Sequence, residues 1–197
     1  MLTFKPEGLN LSDAVDSWSY VWGQVYSPKK FYEHCHKDIV APPPFAWIWK
    51  SKLHMKLKVF MWFLLADRLN TKNMLRRRHY NINEGFNCVL CNTGVEETIE
   101  HLIFTCPFSS SCWHKVGITW NLHHSKIDAF QAARQSFNRE LFFEFVGIVA
   151  WNIWKERNNF IFRQIPPSLA AWRGRTKKDL LWFKFRVDKT HWDYITL

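Results

Sequence analysis

The chain has 197 residues, 47% of them hydrophobic and 17% aromatic, so it is long enough and apolar enough to bury a core and is not a disordered tail. Lys and Arg number 27 against 17 Asp and Glu, a formal charge of +10 that favours polyanionic partners, nucleic acid first among them. The longest clean apolar run, Val59 to Ala66, is closed by Lys58 and Asp67, and the stretch Leu141–Trp154 is broken by Glu144 and Asn152. Neither approaches the roughly 20 residues of a membrane span. No apolar signal segment follows Met1, and five cysteines are an odd number. An intracellular protein of nucleus or cytoplasm is expected, with a metal site and spare thiols rather than a disulfide framework.

In chain order, residues 1–40 read as an N-terminal arm or hairpin. Trp18, Tyr20 and Trp22 alternate with Ser19 and Val21, Gly23-Gln24 suits a turn, and Val25-Tyr26 begins a return. The alternative is an irregular arm. A short helix is expected over Lys29 to His36. Pro42, Pro43 and Pro44 make a hard break. Beyond them Phe45 to Lys50 reads as a short helix and Met55 to Leu69 as a longer one. Its apolar face is read as Val59, Phe60, Phe63 and Leu64, with Lys56 and Lys58 in water. Thr71 is an N-cap for a helix from Lys72 to about His79, which ends in Arg76, Arg77 and Arg78, where cations suit the negative end of the helix dipole.

After the cysteine segment a helix is expected through His101 to Trp113. The polar loop Asn121–Asp128 separates a zinc-binding domain, 41–118, from a C-terminal helical region, 128–197. In that region one or two helices cover Phe130 to Phe162, and Pro166-Pro167 stops them. Ser168 caps a final helix with Leu169, Trp172, Leu180, Phe183 and Val187 on its apolar positions and six Lys and Arg on the others. The fold class is therefore mainly α, a small helical zinc-binding module with a C-terminal helical extension.

The metal reading rests on spacing. Cys88, Cys91, His101 and Cys106 form Cys-x2-Cys-x9-His-x4-Cys. A Cys-x-x-Cys turn points two sulfurs at one place, and His101 and Cys106 lie about one helical turn or a little more apart. Three sulfurs and one nitrogen close a tetrahedron, which is a structural zinc site with no open position for catalysis. Cys112 and His114 are reserve ligands that need the chain to bend back, and Cys35 reads as a packed thiol. Asp67, Glu96, Glu97 and Glu100 read as capping or surface groups. His-Glu-x-x-His, a glycine-rich phosphate loop and Gly-x-Ser-x-Gly are all absent from the sequence.

Phe45 to Lys50, Lys56 to Phe63, Asp67 to Thr71 and Leu75 resemble the first half of the plant reverse-transcriptase zinc-binding domain. Cys88, Cys91, Glu97-Thr98, His101-Leu102, Cys106-Pro107-Phe108 and Trp113 resemble its second half. The resemblance extends more loosely over Asp16–Tyr32 and over Ile153 to Asn158. Many members have prolines near Met55 and in place of Asn70, which bear on helix starts and not on the ligands. The resemblance implies a non-LTR retrotransposon origin and the same four zinc ligands. No two Asp are adjacent, so the Tyr-x-Asp-Asp metal site of the polymerase is missing. A non-catalytic module is expected, binding RNA or single-stranded DNA through Arg76, Arg77 and Arg78. The alternative is a structural module that docks on a polymerase or another protein, or a retroelement remnant without function.

Overall fold

A computed structural model describes residues 19–81, 85–123, 125–137 and 140–188. Trp18 and the rest of the arm before it lie outside the described residues, as does the C-terminal end from residue 189. The chain divides into two compact units, 1–40 and 41–197.

In the first unit the expected hairpin shrinks to one antiparallel bridge, in which Tyr20 and Gly23 exchange two backbone hydrogen bonds of 2.9 Å. The return strand has no length to pair, because Ser27 and Pro28 start a helix at once. That helix, α1 (Pro28–Cys35), is capped by Ser27, whose Oγ accepts from the Lys30 amide at 3.4 Å. Tyr20 stacks on Trp22 at 5.4 Å, and Trp22 meets Phe31 edge-on at 6.0 Å. Cys35 is exposed, which corrects its reading as a packed thiol.

The second unit is helical throughout its described residues, apart from loops and one further bridge. Helix α2 (Pro43–Lys50) opens on Pro43-Pro44, which lose nothing at a position where the amide has no helical partner. Helix α3 (Met55–Leu65) and α4 (Lys72–Arg77) follow, the latter capped as expected by Thr71 Oγ1 on the Met74 amide at 3.2 Å. A π-helical turn spans His101–Thr105 and leads into α5 (Pro107–Lys115). Helix α6 (Lys126–Phe137) and the long α7 (Phe142–Arg163) come next, and α8 (Leu169–Lys184) begins at Ser168, whose Oγ accepts from the Ala171 amide at 3.2 Å.

Helix α7 is the axis of this unit and packs on α3, α5, α6, α8 and the π turn. Its Phe142, Val146, Val149, Ala150 and Ile153 are fully buried, so it is apolar nearly all round, as an internal helix must be. One buried cluster joins Ile48, Met61, Leu64, Leu102, Trp113, Phe130 and Trp172, and it includes Cys88 and Cys106. The apolar face of α3 differs from the sequence reading. Phe60, Met61, Leu64 and Leu65 are buried, while Val59 and Phe63 are each 38% exposed. The run Val-Phe-Met-Trp-Phe-Leu-Leu offers apolar side chains on every face, so periodicity does not select the one that α7 covers. On α8, Trp172, Leu180 and Phe183 are buried as expected, with Val187 just beyond it.

Candidate metal centre

Phe86 to Glu97 fold back on themselves as a tight loop. Asn87 bridges Glu96, the Cys88 amide donates to the Val95 carbonyl at 2.8 Å, and the Glu97 amide donates to the Phe86 carbonyl at 2.8 Å. Gly94 takes a φ of +71°, left-handed backbone that turns the chain after Cys91. Cys88 and Cys91 sit inside this loop and face the start of the next element.

His101 enters that element through Thr98, whose Oγ1 accepts from the His101 amide at 3.0 Å. An α-helix here sets Cys106 five residues and about 500° of rotation from His101, roughly 140° out of line. The wider π turn removes much of that offset, and the Cys106 amide donates to the His101 carbonyl at 2.7 Å. The helix expected from His101 through Trp113 is therefore interrupted at Cys106, which leaves helical geometry with φ −56° and ψ 134°. Pro107 then starts α5. The interruption brings the two ligands together.

The four ligand atoms of Cys88, Cys91, His101 and Cys106 lie within 4.8 Å of one another. Sγ of Cys88 and Sγ of Cys106 are 3.9 Å apart, and Sγ of Cys91 is 3.3 Å from Nε2 of His101. Tetrahedral zinc with Zn–S of about 2.3 Å and Zn–N of about 2.0 Å sets sulfur pairs about 3.8 Å apart and a sulfur–nitrogen pair about 3.5 Å apart. The donor set and its spacing fit zinc. Nε2 of His101 faces the sulfurs, while Nδ1 lies 3.4 Å from Thr105 Oγ1, the kind of outer contact that fixes the ring and its tautomer.

The thiols are primed for a cation. The Cys88 thiol donates to Cys106, and this bond holds Cys106 down to about 5, against burial and with help from the amides of Ser109 and Phe108 at the start of α5. Cys88 is pushed far up by its donor role toward Cys106, then by burial. The pair thus shares one proton. Cys112 is buried and pushed up by that burial, a protonated thiol outside the cluster, and His114 is outside it too.

Residues 26–113 match the model of the family described as zinc-binding in reverse transcriptase. Over that stretch the chain is similar to the reverse-transcriptase zinc-binding family. Zinc is the cofactor of this zinc-binding domain, and Cys88, Cys91, His101 and Cys106 would hold it between the loop and the π turn. A protein of Arabidopsis thaliana named a putative ribonuclease H protein is 27% identical over 104 residues, which cover 51% of this chain and 16% of that protein. No solved structure matches the chain.

The structure separates the three arginines at the end of α4. Arg76 turns to the zinc loop, pairing with Glu96 at 2.9 Å and standing over the Phe86 ring at 5.4 Å. Phe86 is half-buried. Arg77 and Arg78, with Arg68, line an open polar cavity of about 280 Å³ on the other side, where Arg77 pairs with Asp67 at 2.6 Å and Arg78 meets Asn70 at 3.4 Å.

Glu97 is not a surface group. Its side chain is fully buried, and Oε1 accepts from the Lys72 amide at 2.9 Å and from Arg157 at 2.7 Å. Arg157 also donates to the Asn70 carbonyl at 3.3 Å. Sequence reasoning missed this clamp, although both residues lie in stretches that resemble the family. A Glu beside Thr-x-x-His reads as a cap, and only the fold shows that an arginine 60 positions later meets it.

Proposed function

We propose that this chain is a non-catalytic, retroelement-derived zinc module that binds RNA or single-stranded DNA through the exposed end of α4. The observation that carries the reading is the attachment of that basic end to the zinc loop. Arg76 reaches Glu96, the Asn73 side chain reaches Glu96 at 2.9 Å, and Glu97 holds the first amide of α4. Zinc therefore orders the element that presents Arg77 and Arg78, which with Arg68 line a cavity whose carboxylate, Asp67, pairs with Arg77. Guanidinium groups so placed suit phosphate oxygens and carry no base preference.

Titration of zinc-loaded protein with short single-stranded RNA over a range of salt tests this. Binding is expected to weaken steeply as salt rises. Replacing Arg76, Arg77 and Arg78 together by Ala flattens the slope by about one unit per lost phosphate contact. A triple variant that keeps its helical circular dichroism and binds with unchanged affinity and slope overturns the reading.

One observation favours a second reading, docking on a protein partner such as a polymerase. Trp49, Trp62 and Met55 on α2 and α3 are 56%, 40% and 60% exposed, more apolar surface than two such short helices need leave uncovered. Docking becomes the better account if the arginine variant is silent.

A further inference from the structure

One cavity of the second unit is lined by no residue of the zinc loop or of α4. It sits between the start of α3 and the facing sides of α7 and α8, with a volume of about 320 Å³. That is the lower end of the range of small-ligand clefts, about 300–1,000 Å³. Ile148 and Phe183 are buried at its floor, and the indoles of Trp151 and Trp182 line it. Trp182 is 64% exposed, and its neighbour Phe185 is 76% exposed with the two rings 6.1 Å apart. Large rings at the mouth of a cavity have a strong drive to be covered.

The lining is basic as well as aromatic. Lys155 and Arg186 line the cavity, with His54 at its edge. Trp151 carries two ammonium groups, Lys56 at 4.9 Å and Lys155 at 5.8 Å from its ring centre. Asp179 is the acidic group in the lining, held in place by Asn152 at 2.9 Å and Lys155 at 3.1 Å. A purely apolar guest gains nothing from these cations, and a bare phosphate gains nothing from the indoles. A nucleotide uses both, with its base on the rings and its phosphates on the rim, and the carboxylate accepts from a base amino group.

We propose that this cavity takes one unpaired base of a single-stranded nucleic acid, stacked against Trp182, with Arg186 and Lys56 toward the flanking phosphates. The ligand class is shared with the reading of α4 above, but the site is separate and stands or falls separately.

The test uses the zinc-loaded full chain, a short single-stranded oligocytidylate, and an abasic oligonucleotide of the same length. Stacking on one ring is worth roughly 5- to 100-fold in affinity. Trp182→Ala is therefore expected to weaken oligocytidylate binding by about that factor and to leave the abasic strand unaffected. Trp182→Phe keeps the affinity, whereas Trp182→Leu, which preserves apolar bulk without a ring, loses it. This pair settles the matter even if the alanine variant folds poorly. If Trp182→Leu binds oligocytidylate like the unaltered chain while the α4 arginine variant does not, the cavity is not the base site and the phosphate path stands alone. If Trp182→Leu weakens both strands equally, the indole supports the fold and the proposal fails. If Trp182→Leu weakens oligocytidylate alone and the arginine variant changes nothing, the cavity is the nucleic-acid site and α4 is not. If the unaltered chain binds neither strand, both fail.

Discussion

Cys106 occupies two structural roles at once, last residue of the π turn's hydrogen-bond ring and cap of α5, and both serve the metal. Cys106→Ser removes a sulfur that is fully buried, and Cys88→Ser removes its partner. Either change is expected to abolish stoichiometric zinc, read by elemental analysis, and to unfold the 86–106 segment, read by amide exchange. Full zinc content in either variant removes Cys-x2-Cys-x9-His-x4-Cys as the site. The shared proton gives a second outcome. Cys88 is held protonated at neutral pH by its neighbour and by burial, so zinc must displace that proton. Zinc affinity is then expected to rise with pH, and the heat of binding to vary with the ionisation enthalpy of the buffer. The sign is fixed by competition, since acid keeps on the Cys88 sulfur the proton that the metal must displace. A binding heat identical in all buffers contradicts it.

At the scale of elements, Gly147 of α7 faces the α2–α3 connection and α3 so closely that a Cβ there meets Leu53 Cδ1 at 2.8 Å and Met61 Cγ at 3.5 Å. Leu53 is 3% exposed and borders the cavity between α3, α7 and α8, so the cost depends on how far its end can shift toward that space. Gly147→Ala gains about 1 kcal/mol of helix propensity and meets an overpacking cost of about 1–3 kcal/mol. A net loss of up to about 2 kcal/mol is expected in urea unfolding, with Gly147→Val worse. A stabilised alanine variant shows that Leu53 moves aside freely. The same pair of helices shows where the sequence is ambiguous. Lys72–Arg77 and Leu169–Lys184 have clear starts, since Thr71 and Ser168 each cap an amide three residues on. Met55–Leu65 has apolar side chains on every face, and its exposed and buried sides follow from where α2 and α7 pack against it.

At the scale of the whole second unit, Glu97 and Arg157 tie the zinc loop, the start of α4 and the middle of α7 into one joint. Both side chains are buried, at 0% and 5% exposure, so removing one leaves the other charged and unpaired. Arg157→Ala is expected to destabilise the zinc-loaded protein by about 3–5 kcal/mol in denaturant unfolding. A loss below about 1 kcal/mol shows that water or another cation replaces the guanidinium. On the same helix Glu156 pairs with Arg175 and accepts from the Ser168 amide at 3.1 Å, which fixes the start of α8. Among the described residues no helix is long and apolar enough to cross a membrane.

What the sequence determined by itself is local. The meeting of Cys88, Cys91, His101 and Cys106 was legible in Cys-x2-Cys-x9-His-x4-Cys, because zinc constrains donor type and spacing within a short stretch of chain. Helix starts at Thr71 and Ser168 follow because a cap acts on amides two or three residues away. Tertiary structure decided everything that depends on partners distant in sequence. It turned an expected helix at His101 into a π turn, buried Glu97 against Arg157, exposed Val59 and Phe63, and opened a cavity between Trp151 and Trp182. The physical reason is that an apolar or charged side chain carries no record of which surface will cover it. Burial is a property of the assembled helices, and the ordering of one face over another is settled only when α7 packs between them.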